Sequence, residues 1–304
     1  MMKICLLTFL GSVLLSFSTA AQIYQKSEEP EQVSGNGSSS ICCYFDEPSK
    51  TAIVERCSGK DSHSGSVIIP GEVWRDGEKF VVRKINHDAF KNCSNLTSVT
   101  IPDSVTWLGL DVFCGCSALT AINVAEGNPA YSSEDGVLFF KLSQKERTLR
   151  EFPKGKAGKY NIPDNVVNIA GYAFEECRRL NKVVIPYGVT NIRNCTFKNC
   201  DSLTCVQISN SVKIIEEKAF QGCSSLKEIT IPKSVKVIRS EAFAECGALK
   251  SITSWNTTPP EISQSTFSSV SKTIPVYVPA ESVETYKKAD GWSEFCNIVA
   301  TSAK

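Results

Sequence analysis

The chain runs to 304 residues, 42% of them hydrophobic and 21% charged. That is enough to bury a core, and the length accommodates one or two domains. A net charge of +1, with basic residues scattered along the sequence, excludes a strong field drawing in nucleic acid or an anionic membrane, and no basic stripe is interleaved with aromatics.

The N-terminus reads as a leader. Lys3 precedes an apolar run from Ile4 to Leu15 that is too short to span a bilayer. Small residues follow in "SFSTAAQ", so residues 1–21 are expected to be a signal peptide. Cys5 lies at the start of the apolar run and is not placed to carry a lipid after cleavage. The next stretch, residues 22–40, is rich in Ser, Glu and Gly and reads as a flexible tether. No later segment has the length and hydrophobicity of a membrane span, so the mature protein is expected to be soluble and exported.

Beyond the tether the sequence repeats. Stepping by 23 from Cys223 reaches Cys200 and Cys177 on one side and Cys246 on the other, and Cys93 and Cys116 are 23 apart. Cys116 to Cys177 is 61 residues, one period plus 38. Other columns keep this register. Phe90, Phe113, Phe174, Phe197, Phe220 and Phe243 stand three residues before the cysteines; Leu96, Leu119, Leu180, Leu203, Leu226 and Leu249 stand three after. Val99, Ile122, Val183, Val206, Ile229 and Ile252 form a further column. Segments such as "LTSVTIP" and "LKEITIP" alternate apolar and polar residues as short strands do. Pro102, Pro186 and Pro232 suit strand ends because proline cannot donate a ladder hydrogen bond. One coil cannot bury its own Phe, Leu and Ile, so coils must stack, about 4.8 Å apart. Cys93, Cys116, Cys177, Cys200, Cys223 and Cys246 then form a structural ladder of small buried residues with weak donors. Side chains pointing the same way up a stack are poorly oriented for disulfides.

The unit "LKEITIPKSVKVIRSEAFAEC" (Leu226–Cys246) resembles the BspA-like leucine-rich repeat of bacterial surface proteins, whose form is LxxIxIPxxVxxIxxxAFxxC. The resemblance covers roughly residues 41–304. It implies a leucine-rich-repeat solenoid, mostly β with short turns or helices on the convex side, a right-handed β/α-type superhelix. The expected organisation is N-terminal capping strands at 41–80, repeats at 81–256 with a hairpin insertion at about 125–164, and a degenerate repeat with a C-terminal cap at 257–304. The insertion's "EDGVLFFKLSQKERTLREFPKG" reads as two strands joined by a polar turn. The closing segment "TIPVYVPAESVETYKKADGWSEFCNIVA" resembles the C-terminal unit of Bacteroidetes members.

Catalytic and metal chemistry has little to stand on. His63 and His87 are 24 residues apart, in no ligand-spaced cluster, and His87 reads as an exposed loop residue. No Cys–His signature, Walker loop or GxSxG is present, so no cofactor is expected. The cysteines outside the ladder are Cys42, Cys43, Cys57, Cys114, Cys195, Cys205 and Cys296. Their odd number with the ladder leaves at least one thiol free or intermolecular; they read as ordinary buried or half-buried thiols, with a bridge from Cys42 or Cys43 to Cys57 as the alternative. The candidate binding face of such a solenoid is the outward side of its strands: Asn181, Lys182, Val184, Thr204, Gln207, Lys227, Glu228, Thr230, Lys250, Ser251 and Thr253. It is polar, of mixed charge and without the aromatic anchors of protein hot spots, so a plain solvated face stands beside the binding reading. Trp107 and Trp255 are secondary candidates. The reading is an exported non-enzymatic scaffold, on the cell surface, secreted or periplasmic, that binds a protein or glycan through the repeat face. The resemblance implies adhesion. The alternative is a structural component of the cell envelope, and a weaker one is an enzyme using an odd cysteine.

Overall fold

A computed structural model describes residues 29–34, 40–57 and 63–301. The signal peptide expected at 1–21 lies outside the described residues, as does much of the tether. One part of the tether is not a tether: Glu31–Val33 forms a strand, β1, paired antiparallel with β2 (Ile41–Asp46). A bare strand edge offers backbone partners that do not depend on side-chain composition, so polar residues suffice here.

The N-terminal cap continues with β3 (Thr51–Glu55), β4 (Gly65–Ile68), β5 (Glu72–Arg75) and β6 (Glu78–Ile85). β5 and β6 form a hairpin whose turn is Asp76-Gly77, both at positive φ, as a tight hairpin turn demands. Cys42 forms a disulfide with Cys57, with Cα atoms 5.2 Å apart. Successive residues of a strand face opposite ways, so neighbouring Cys43 is instead buried in the core.

From here each coil contributes a front strand, carrying LxxIxI, and a short side strand. The first coils hold front strands β7 (Leu96–Ile101) and later β9 (Ala121–Val124), with side strand β8 (Trp107–Leu108) between them. The order β4-β7-β9 is a parallel sheet.

The insertion follows: β10 (Tyr131–Glu134), β11 (Val137–Lys141) and β12 (Arg147–Glu151). β11 and β12 are the two strands expected, and β10 adds a third through a second Asp-Gly turn at Asp135-Gly136. β12 also serves as a side strand, pairing parallel with β14 (Val166–Ile169). The insertion ends sooner than 164. β13 (Gly158–Asn161) is already a front strand, paired parallel with β15 (Leu180–Val184). Gly155 stands where the other coils have cysteine and Gly158 where they have leucine, so this coil hides from the column pattern.

The remaining coils add side strands β16 (Asn191–Ile192), β18 (Ile214–Ile215) and β20 (Val237–Ile238), and front strands β17 (Cys205–Gln207), β19 (Glu228–Ile231) and β21 (Ser251–Ser254), which alternate along the chain. Ile214 pairs with Val237 and Ile215 with Ile238, 23 residues on. The cap adds β22 (Pro275–Val278), a short helix α1 (Val283–Tyr286) and β23 (Asn297–Ala300). The convex side of the coils is made of turns. The six turns that lead into the ladder cysteines each use two left-handed residues, for example Lys218 and Gly222, or Glu241 and Glu245.

Inside the turns runs a stack of phenylalanines. Phe152, Phe174, Phe197, Phe220, Phe243 and Phe267 stack with centroids 4.8 to 5.2 Å apart, which is the strand spacing carried into the core. Trp292 and Phe295 close its C-terminal end. A shorter stack, Phe90 on Phe113, is closed at the other end by His63. The insertion separates the two stacks and divides the core in two. Leu138 belongs to the N-terminal cluster, while its neighbours Val137 and Phe139 belong to the C-terminal one.

Phe220 is fully buried between two stacked rings. Phe220→Ala is expected to cost about 3–5 kcal/mol, read from urea unfolding, and an unshifted transition would disprove the register. Reducing the Cys42–Cys57 bridge, which closes a 15-residue span, removes about 3 kcal/mol of constraint. The expected signature is earlier unfolding of the N-terminal cap by hydrogen exchange, with the coils after the insertion unaffected.

Candidate functional site

The front strands position the candidate residues. Parallel pairing places Val184 beside Gln207, and Lys182 beside Cys205. It places Glu228 beside Ser251, and Thr230 beside Thr253. Lys227 and Lys250 sit just before their strands, linked by a Lys250 N–H bond to the Lys227 carbonyl at 2.7 Å. The face is thus a lattice of columns. Gln207, Lys227, Glu228, Thr230 and Lys250 are exposed, whereas Lys182, Val184 and Thr253 are half-buried. β13-β15-β17 and β19-β21-β22-β23 are separate hydrogen-bonded sheets, so the candidate residues lie on two panels.

The lattice also reveals residues that the repeat columns did not supply. Thr253 pairs with Tyr277 of β22, 37% exposed, which extends the Val184–Thr253 column into the cap. The closing unit has lost its cysteine, so stepping from cysteine to cysteine could not reach it. Tyr187, at a corner after β15, is 78% exposed. Trp255 occupies the position that Pro102, Pro186 and Pro232 hold in other coils, and is exposed beside β21. Trp107 is on side strand β8, away from the front face. His87 is exposed, as expected; its Nδ1 accepts the Leu110 N–H at 2.9 Å and its ring meets Trp107 edge-on.

The ladder cysteines all carry free thiols. In five of the six, Sγ donates to a phenylalanine carbonyl of the preceding coil: Cys116 to Phe90, Cys177 to Phe152, Cys200 to Phe174, Cys223 to Phe197 and Cys246 to Phe220. Most of these contacts are 3.0 to 3.2 Å, and the longest is 3.7 Å, at the seam with the insertion. Cysteine therefore fills a tight corner and gives a buried carbonyl a donor. Burial pushes the Cys116 and Cys246 thiols up to about 12 and holds Cys177, Cys200 and Cys223 well above the usual range. They remain neutral near pH 7, and a neutral thiol is a poor nucleophile.

One polar cluster lies off the face. At the seam, Arg150 donates to the Gly109 carbonyl and Lys154 to the Glu175 carbonyl, both at 2.7 Å. Lys154 lies 3.8 Å from Glu151. Burial raises the Glu151 carboxyl, opposed by Lys154 and Arg150. The adjoining cavity is about 30 Å³, room for a water or two and far below a small-molecule site. Among the described residues no group of three His, Cys, Asp or Glu side chains is placed to hold a metal, and no helix is long and apolar enough to cross a membrane.

Stacked parallel coils with an apolar ladder and an outward strand lattice define a leucine-rich-repeat solenoid. A family model described as BspA type Leucine rich repeat region matches in six copies, over residues 80–135 and 150–274, and the chain belongs to this family. Among solved structures, the chain is similar to the pneumococcal vaccine antigen PcpA, with a TM-score of 0.51 and 16% identity over 91% of this chain and 100% of that one. It is also similar to a leucine rich cell surface protein from Faecalibacterium prausnitzii A2-165, at TM-score 0.46 and 19% identity, covering 91% and 97%. A leucine-rich repeat protein from Bacteroides ovatus ATCC 8483 aligns at TM-score 0.37 and 20% identity, covering 90% and 99%. At 16% identity the likeness to PcpA shows the fold alone. No curated protein matches the chain.

The thiols give a direct check. Alkylation of the native protein at neutral pH is expected to modify Cys296, the exposed free cysteine among the described residues, well before the others described. The six ladder cysteines should react only after denaturation, as mapped by peptide mass spectrometry. A ladder cysteine labelled as fast as Cys296 would contradict the packing described here.

Proposed function

We propose that this protein is an exported, non-enzymatic binding scaffold that recognises a protein or glycan at the cell surface through its front-strand face. The observation that carries this reading is the lattice itself. The coils direct their apolar residues inward and leave an ordered lattice exposed, with Gln207 on one panel and Lys227, Glu228, Thr230 and Lys250 on the next. Side chains at fixed spacing on a rigid sheet lose little freedom on binding. Tyr277 adds an aromatic of the kind that anchors protein contacts. The leader-like sequence at 1–21 supports export.

The test is a binding screen of the mature protein on immobilised extracellular-matrix proteins and on a glycan array. The comparison is the variant Lys227→Ala/Glu228→Ala/Lys250→Ala. Saturable binding that falls at least about tenfold in the variant, or ~1.4 kcal/mol, with an unchanged melt, supports the reading. Binding that survives the substitutions would remove the front face from it. Absence of binding on both surfaces would favour a structural part of the envelope, whose partner comes from the same cell.

A further inference from the structure

In a parallel stack, residues one period apart become neighbours, and like charges placed side by side on adjacent strands repel. Three pairs of lysines are stacked this way. Lys159 is the registered partner of Lys182 across β13 and β15. Lys227 and Lys250 are joined through their backbones at 2.7 Å, and Lys213 and Lys236 at 2.8 Å. Five of the six are exposed and Lys182 is half-exposed. Among the described residues, none of the six makes an ion pair.

Elsewhere the same fold balances its charges. The side-strand column Arg193, Glu216, Arg239 alternates in sign from coil to coil. On the turns, Lys218 pairs with Glu217 and Glu241, Lys198 with Glu175, and Arg178 with Asp201. On the front face Glu228 follows Lys227 in the chain and stands beside Ser251, and on the side face Glu261 follows Lys236. Neither carboxylate reaches a lysine of the rungs. A chain of net charge +1 thus gathers uncompensated positive charge on one stretch of its repeats, where a periodic anion would relieve the repulsion.

We propose that the coils from β13 to β21 bind an anionic polysaccharide, sulfated or carboxylated, along these lysine rungs. This rests on the front face being a binding surface and specifies what it takes. Two rungs lie on the front face, Lys159–Lys182 on the panel β13-β15-β17 and Lys227–Lys250 just before β19 and β21 on the next panel, and Lys213 and Lys236 extend the charge around the corner. The chemistry favours a polysaccharide over other polyanions. The lysines are not interleaved with aromatics on which bases would stack. A flat strand face has no element to enter a duplex groove. The exposed positions between the rungs, Thr204, Gln207 and Thr230, are polar and offer nothing apolar to the hydrophobic side of an acidic peptide.

Heparin is the probe, titrated against the full protein by calorimetry at near-physiological salt, with neutral dextran and duplex DNA as comparators. The expected result is saturable heparin binding that weakens as salt rises, and no binding to dextran. Lys227→Gln/Lys250→Gln and Lys159→Gln/Lys182→Gln should each weaken it at least tenfold. Lys227→Arg/Lys250→Arg should retain it. Lys218→Gln/Lys287→Gln removes the same charge from ion-paired positions and should change nothing. The inference is overturned by absence of heparin binding, by equal loss in the paired-lysine control, or by DNA binding as tightly as heparin. If heparin fails but a matrix protein is still captured through the front face, the inference falls and the broader reading stands.

Discussion

Every coil of this solenoid hands backbone N–H groups to the carbonyls of the coil beside it, at a fixed offset of about one repeat. That offset obliges the side chains to repeat as well. A phenylalanine stacks on a phenylalanine because the backbone spacing and the ring spacing are nearly equal. A cysteine faces a carbonyl because the same corner recurs. Coils gain little on their own, so each depends on its neighbour's apolar surface. Closure at the ends follows from the same need. The C-terminal end uses Trp292, Phe295 and a buried Tyr286 whose hydroxyl meets Ser254 and Asn256. The N-terminal end uses antiparallel strands and a disulfide, because the first coil has no preceding ladder to lean on.

The insertion shows how far the stack tolerates interruption. It leaves after front strand β9 and returns through β12, which takes up side-strand pairing with β14. The missing backbone partners are replaced by side chains. The Tyr131 hydroxyl accepts the Leu108 N–H, and Arg150 donates to the Gly109 carbonyl. Buried Asn128 donates to the carbonyls of Pro102 and Val105 and accepts from Ala130 and Tyr131. The seam is a polar repair of an apolar solenoid, and its charges are accounted for by that work.

Much of this was legible from residue spacing. The apolar columns at period 23 placed the coils, the inward phenylalanines and the cysteine corner, because a repeat averages away local ambiguity. What escaped were single-copy features. The coil begun by Phe152 has glycines where its siblings have cysteine and leucine, so only its backbone pairing identifies it. β1 formed from polar residues because an edge supplies hydrogen bonds regardless of sequence. The choice between Cys42 and Cys43 turned on which way a strand residue faces, and adjacent cysteines give no hint of that. The candidate face was legible as positions but not as a surface. Lysines scattered through the sequence become neighbours only when the period is folded, and Tyr277 joins them through a cap whose motif has decayed.

The division of the core at β11 has a consequence for how the molecule comes apart. Val137 and Phe139 are seated in one half while Leu138 between them is seated in the other. The two halves therefore meet at a wall built on this strand and the polar contacts beside it, instead of through a continuous ring stack. In a quasi-one-dimensional array, the weakest interface between neighbours decides where cooperativity ends. The solenoid should behave as two springs in series joined at that wall. Under load or in denaturant, one half can open while the other keeps its form. A partner spread over the coils after the seam would reinforce one spring and leave the other free to yield.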